Sequence, residues 1–393
     1  DTAIYLASLC KAHTLLGSAT PCAETYYNAA IGKYGHVVLN ERYSGVTLPQ
    51  VIVSNTLTAA KRGEKFSHFN KILFDRIAET LHRGRQVMLF QNRRGFSPFV
   101  TCGTCGWTAM CPDCNVSLTY HKNDSTLRCH YCGFHIPIPE HCPSCSTGSL
   151  IPQGFGTEKI EEELHHYFPD ARIERLDADS ARSTRNYQRI INSFSSGTTD
   201  ILIGTQIITK GFDFGGVALV GILNADNLLL YPDFRSSERA FQLIVQVGGR
   251  AGRRDEQGTV IIQTTQPDHP VIRQAMNGDY EVMIHTLLTE RQTFLYPPFC
   301  RVISIIFRHR DRTLLQRAAD TFAAQARPRF GRMLMGPETP PVDRIRNQFR
   351  LQFLLKVDRH QAAVKQELTT LINELHNHPS FRSIEIIPDV DPQ

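Results

Sequence analysis

Ile201-Leu-Ile-Gly-Thr-Gln-Ile-Ile-Thr-Lys-Gly-Phe-Asp213 and the later Gln246-Val-Gly-Gly-Arg-Ala-Gly-Arg253 decide how this chain folds. Ile201, Leu202 and Ile203 form a short apolar run stopped by Gly204, the pattern of a strand buried on both faces of a parallel sheet. Residues 205–213 then make the loop at that strand's carboxyl end, the edge where open α/β sheets bind ligands. Residues 238–247 space Phe241, Leu243, Ile244 and Val247 as the core face of a helix. That helix runs into Gly248, Gly249 and Gly252, each costing roughly 1 kcal/mol relative to alanine in a helix interior. One reading makes the glycines a frayed helix end or a close helix crossing. The other has them clear space so that Arg250 and Arg253, three apart and on one face, reach a common anion. Two guanidiniums aimed at one point suit a transferring phosphoryl group, whose charge is spread over several oxygens.

At 393 residues, 41% of them hydrophobic, the chain is long enough for two or three domains with real cores. No apolar run reaches the roughly 18 residues of a membrane helix, and the start is neither basic nor signal-like. Membrane insertion and secretion are therefore disfavoured. A net charge of +5 permits a nucleic-acid partner without demanding one, and basic residues gather in 83–94 and 344–356.

Eight of the eleven cysteines fall between residues 102 and 145 as four pairs: Cys102 and Cys105, Cys111 and Cys114, Cys129 and Cys132, Cys142 and Cys145. A two-residue gap lets a tight turn place both thiolates on one tetrahedral zinc at about 2.3 Å, and two pairs complete a closed site. Four pairs imply two zinc ions. Disulfides are disfavoured without a secretory signal, and a redox pair occurs singly near a βαβ unit. Iron-sulfur ligation uses other spacings and stays open as the alternative. Four pairs can share two ions in three ways, and spacing alone leaves the choice open. Closed sites have no position for water, so the metal's work is to fold a segment poor in apolar residues. Trp107, Tyr120 and Tyr131 read as that segment's small core, and His121, His130, His135 and His141 as surface residues.

After the cysteines, the alternation of strands and helices resumes. Strands are expected at 87–90, 172–176, 201–203 and 217–223. Helices are expected from Phe69 to Leu81 with Gly84 as the stop, after Thr157 as a cap, and over 185–194. A helix over 269–291 leads to Tyr296-Pro-Pro-Phe299. Strand 302–307, helix 314–326, strands 333–336 and 349–357, helix 361–375 and strand 384–387 then follow the β-α-β-β-α-β order of a ferredoxin-like domain.

The Gln246–Arg253 motif resembles the last conserved motif of superfamily two helicases, and Gly204–Asp213 the motif before it. With Ala225-Asp-Asn-Leu-Leu-Leu-Tyr-Pro-Asp-Phe-Arg-Ser-Ser-Glu-Arg239 and the four cysteine pairs, the chain resembles the PriA family of bacterial primosomal helicases from Gly17 to Pro392. That resemblance implies an α/β architecture in four parts. Residues 1–62 would end a first helicase lobe and supply a linker, 63–101 and 146–266 would form a RecA-like second lobe, 102–145 a two-zinc insertion, and 267–393 the ferredoxin-like α+β domain.

Roles follow from the same resemblance. Ser18 and Thr20 would couple nucleotide to DNA through a Ser-Ala-Thr motif, and Thr205, Arg93 and Arg94 would touch the DNA backbone. Gly211 and Asp213 would lie at the nucleotide side, and Gln246, Arg250 and Arg253 would close on the γ-phosphate of ATP with Mg2+. Phe212 stands where many relatives have histidine. The family selects the nested metal pairing, with Cys102, Cys105, Cys142 and Cys145 on one zinc and Cys111, Cys114, Cys129 and Cys132 on the other. Arg346 and Arg350, in a hairpin with less arginine and glycine than the family's, would contact DNA.

Implied partners are forked and single-stranded DNA, other primosome proteins and single-stranded DNA-binding protein, in a bacterial cytoplasmic, nucleoid-associated setting. The implied activity is ATP-dependent 3′ to 5′ translocation that restarts stalled replication. The sequence contains neither a Gly-x-x-x-x-Gly-Lys-Thr phosphate loop nor an Asp-Glu-x-His box, so this chain alone is expected not to hydrolyse ATP. A non-enzymatic, zinc-dependent docking module for DNA and protein is the alternative.

Overall fold

The computed structural model describes residues 2–39, 49–91, 99–114, 116–121, 125–146, 148, 150–152, 157–177, 180, 183–209, 214–252, 257–358 and 362–392. The chain divides into two compact units, 1–38 and 39–393. The first holds helices Thr2–Leu9 and Ala23–Ala30, which bury only Ala23 between them. The stretch before Ser18 belongs to no helix or sheet, and Leu15 in it is 98% exposed.

In the second unit, six parallel strands lie in the order Gln50–Asn55, Thr259–Thr264, Val217–Ile222, Gln86–Phe90, Ile201–Gly204, Ile173–Leu176. Gln86–Phe90 sits inside, with every residue buried, because helices cover both faces. On one face Leu73 and Ile77 of helix Lys71–His82 meet Ile160 and Leu164 of helix Thr157–Tyr167 over Val87, Leu89, Ile201 and Ile203. On the other lies helix Ser236–Gly248, where a Cβ on Gly248 would make an ordinary contact with Val260 at 3.6 Å. Gly84, with φ 66°, closes the first of these helices by donating its N–H to Leu81.

Three sequence expectations differ from the structure. Gln50–Asn55, expected within the linker, is an edge strand in register with Thr259–Thr264. The expected helix over 269–291 is two, Pro270–Asn277 and Tyr280–Thr293, broken where Gly278 takes a left-handed cap at φ 74°. Thr157, expected to cap its helix, instead donates its hydroxyl to the buried Asp177 carboxylate at 2.8 Å.

The C-terminal domain is an antiparallel sheet in the order Leu334–Glu338, Gln348–Val357, Arg301–His309, Glu385–Val390, with Arg344–Ile345 added to the second strand. Helices Arg312–Phe330 and Ala362–Asn377 cover one face through Phe322, Leu371 and their neighbours. This is the ferredoxin-like topology that the element order predicts.

Candidate metal centres and motor site

Short strands frame the cysteines: Val100–Cys102 pairs with Leu150–Pro152 at the base, and Thr119–His121, Thr126–Arg128 and His135–Pro137 form a small sheet beyond. Each pair sits in a turn of similar shape. Cys102 and Cys129 accept at their carbonyls from Gly106 and Gly133, whose φ values of 80° and 82° suit glycine. Thr104 and Tyr131 point backbone N–H groups at the sulfurs of Cys102 and Cys129, at 3.3 and 3.4 Å. Ser146 closes the last turn on Cys142 with φ 60°.

These turns gather the eight cysteines into two sets, Cys102, Cys105, Cys142, Cys145 and Cys111, Cys114, Cys129, Cys132, with the sulfurs of each within 4.8 Å of one another. The sets are the nested ones. Across them Cys102 to Cys145 is 3.7 Å, Cys105 to Cys142 3.6 Å and Cys111 to Cys132 3.5 Å. Sulfurs about 2.3 Å from a central tetrahedral zinc stand about 3.8 Å apart, so the donor set fits that ion, whereas a disulfide needs about 2.05 Å. Hydrogen bonds from Cys114 and Cys129 pull the Cys111 thiol down to about 2, and the contact with Cys111 pushes Cys129 up to about 12 and raises Cys114 as well. Four such sulfurs ionise together only around a countercharge.

The aromatic residues of the module are core. Trp107, Tyr120 and Tyr131 pack on Val100, Val116 and Leu127, and Tyr131 also meets Phe234 of the parallel-sheet lobe. His130 departs from its surface expectation. It is 3% exposed, and its protonated Nδ1 donates to the Thr339 carbonyl of the C-terminal domain.

The described residues of the two motifs that resemble helicase motifs fall on two edges of the sheet. At the carboxyl edge Thr205, 9% exposed, ends Ile201–Gly204, and the neighbouring Gln91 donates its N–H to Gly204 at 2.9 Å. At the opposite edge the glycine-rich turn returns to the sheet, Gly252 donating to Val217 at 3.0 Å with φ 71°. Helix Ser236–Gly248 therefore crosses the sheet. Gln246 is exposed in its last turn, and Arg250 lies beyond it, half-buried. Because the helix stops at Gly248, Arg250 belongs to a turn and not to a continuing helical face. The glycines mark an end of helix, not its interior. Arg93, Arg94, Gly211, Phe212, Asp213 and Arg253 lie outside the described residues.

Elsewhere, Arg346 is exposed at the tip of a two-residue turn with Asn347, φ 48° and 65°. Arg350 is half-buried, donates to the Val342 carbonyl at 3.3 Å, and is pushed below its ordinary value by burial and by Arg308 across the strand pair. Thr20 donates its N–H to the Ser18 hydroxyl at 3.1 Å within the first unit. Two functional candidates escape a sequence reading altogether: Glu238 and Arg291, 3% and 1% exposed and joined at 2.6 Å.

Comparison with known proteins gives three family matches: "PriA DNA helicase Cys-rich region (CRR) domain" over residues 111–137, "Helicase conserved C-terminal domain" over 155–255, and "Primosomal protein N C-terminal domain" over 292–393. The chain is 36% identical over 380 residues, 96% of its length, to the replication restart protein PriA of Bacillus subtilis, covering 46% of that protein. It is 37% identical over 397 residues to that of Haemophilus influenzae, covering 53% of it. The chain thus spans about half the length of the curated relatives it matches. Among solved structures, RecG bound to a three-way DNA junction aligns with 70% of this chain and 27% of its own, at 14% identity and a TM-score of 0.40.

Proposed function

Because the chain belongs to the PriA family of replication restart proteins, we propose that it forms the arginine-bearing half of an ATP-dependent 3′ to 5′ DNA helicase that recognises forked DNA and starts primosome assembly. The observation that carries this reading is the helix Ser236–Gly248 crossing a six-stranded parallel sheet, with Thr205 and Gln91 at one edge and Arg250 at the other.

The two edges divide the labour. Thr205 at the carboxyl edge faces the DNA backbone, Arg93 and Arg94 contact the same backbone, and the exposed Arg346 adds a cation from the C-terminal domain. Gln246 and Arg250 at the other edge close on the γ-phosphate together with Arg253, and Gly211 and Asp213 serve the nucleotide. ATP with Mg2+ supplies the phosphoryl chemistry. The chain's own part is to bring guanidinium charge to oxygens that become more negative as the bond breaks. Ser18 and Thr20 couple that step to the DNA track in the first lobe. Both cysteine sets hold zinc, the outer set closing the module's base and the inner set its tip. Arg350, turned onto Val342, contributes less to DNA than Arg346. Single-stranded DNA-binding protein and other primosome proteins are the proposed protein partners.

The deciding experiment measures ATP hydrolysis by the full-length protein that carries this sequence, with and without forked DNA, beside the 393-residue chain. Hydrolysis that rises with DNA in the former and is absent from the latter is expected. No hydrolysis in zinc-loaded full-length protein overturns the motor reading in favour of a docking module.

A further inference from the structure

Arg291 is the bulkiest of the fully buried side chains among the described residues, and it forms an ion pair with Glu238. Its Nη2 donates to the Glu238 carboxylate at 2.6 Å and its Nη1 to the Pro297 carbonyl at 3.0 Å. Its guanidinium lies 5.2 Å from the centre of the Phe234 ring, which Arg235 approaches at 4.8 Å while standing 3.8 Å from Glu238. Phe234 stacks on Tyr296, Tyr296 donates its hydroxyl to the Cys114 carbonyl at 3.0 Å, and Lys356 of the C-terminal sheet rests 3.9 Å above the Tyr296 ring. Three parts of the molecule meet there: the parallel-sheet lobe, the inner cysteine set and the C-terminal domain.

Glu238 belongs to the first turn of helix Ser236–Gly248, the helix whose far end leads to Gln246 and Arg250. That first turn follows Asp226–Leu229, which Asp226 ties to the carboxyl edge of the sheet through the Thr265 N–H at 2.8 Å. A helix of 13 residues is about 20 Å long and transmits a displacement of one end to the other. A buried ion pair whose arginine is also hydrogen-bonded to a backbone carbonyl has one geometry and resists bending, unlike a surface pair.

We propose that the Glu238–Arg291 pair is the joint through which movement of the Arg250 end is delivered to the cysteine module and the C-terminal domain, so that both move with the helix when nucleotide is engaged. Neither residue touches nucleotide or DNA. They are positioning residues, and their loss separates hydrolysis from unwinding. This rests on the motor reading above.

The test uses full-length protein with the paired replacement Glu238→Met and Arg291→Met, which removes both charges and leaves neither unpaired, beside Arg291→Lys, which keeps charge but loses the two-pronged contact. Forked-DNA unwinding and DNA-stimulated ATP hydrolysis are measured on the same samples, with thermal unfolding and zinc content as folding controls. In the paired variant, kcat for hydrolysis is expected within about threefold of the parent and base pairs opened per ATP to fall at least about tenfold. Arg291→Lys should fall between the two. An unchanged ratio, or unwinding and hydrolysis falling together in folded protein, overturns the joint. A parent protein with neither activity overturns the motor reading beneath it, and the joint with it.

Discussion

Tyr296 lies flat on Phe234, ring centres 4.4 Å apart and planes 3° from parallel, so a residue of the Tyr-Pro-Pro-Phe segment and one of the parallel-sheet lobe share a single stack. Since the Tyr296 hydroxyl also donates to Cys114, removing the ring and removing the hydroxyl have different consequences. Phe234→Ala is expected to cost about 2–4 kcal/mol, from lost burial and lost stacking. Tyr296→Phe is expected to cost about 1 kcal/mol, the worth of one hydrogen bond. Urea unfolding of the 393-residue chain reads both, and equal losses would show that the stack carries no separate energy.

The metal count follows from the two cysteine sets. Purified protein should hold two zinc ions, and Cys111→Ser or Cys102→Ser should each reduce the content by about one while leaving the other set loaded. Elemental analysis with thiol titration checks this. Because the Cys114 carbonyl anchors Tyr296, loss of the inner ion should also open the Tyr296 segment to protease, whereas loss of the outer ion should expose the module's base around Val100 and Leu150.

Much of this architecture is legible in the sequence, and the parts that are not share a cause. Residues 87–90, 201–203 and 217–222 are nearly unbroken apolar runs because helices cover both their faces. Thr259–Thr264 and Gln50–Asn55 are harder to see, since each ends in polar residues that the fold satisfies internally. Gln263, 1% exposed, accepts from the Asn70 N–H at 2.7 Å and donates to the carbonyls of His68 and Leu223, and the Asn70 amide donates to Ser54. A glutamine with three internal partners looks in sequence like a surface residue. The same holds for Arg291, placed in an ordinary helix and recognisable as buried only beside Glu238. The cysteine sets were legible as metal sites from spacing, but their pairing came from family resemblance, because a Cys-x-x-Cys turn carries no mark of its partner.

One pH dependence can be assigned a sign. Arg172 donates Nε and Nη2 to Asp200 at 2.9 and 2.5 Å, and its backbone N–H donates at 2.8 Å, which together hold the Asp200 carboxyl below its ordinary value. A carboxyl lowered on folding contributes stability above its unfolded pKa and loses it as pH falls through the folded one. Asp200→Asn should therefore be less stable than the parent at neutral pH, with the gap closing below about pH 4. Both residues are partly exposed, so the gap is small and shrinks in salt. Denaturation midpoints from pH 7 down to pH 3 decide it, and a gap that widens on acidification would contradict the assignment.

On the roles proposed above, the separation of Arg250 from Thr205 across the sheet predicts that effects on nucleotide and on DNA come apart under mutation. Thr205 ends a strand at the carboxyl edge, while the turn after Arg250 is bonded through Gly252 to Val217, the first residue of its strand, at the other edge. A guanidinium at the nucleotide and a residue at the DNA backbone do not compensate for one another. In full-length protein Arg250→Ala or Arg253→Ala should lower DNA-stimulated ATP hydrolysis by about a thousandfold, the usual worth of an arginine at a transferring phosphoryl group, with the Kd for forked DNA changed by less than about threefold. Thr205→Ala and Arg346→Ala should do the reverse, weakening DNA binding, with Arg346→Ala also flattening its salt dependence by about one counterion. Fluorescence anisotropy at several salt concentrations, run beside steady-state hydrolysis, measures both. If Arg250→Ala weakens DNA binding as much as it slows turnover, the amino edge of the sheet faces DNA and the two edges must be exchanged.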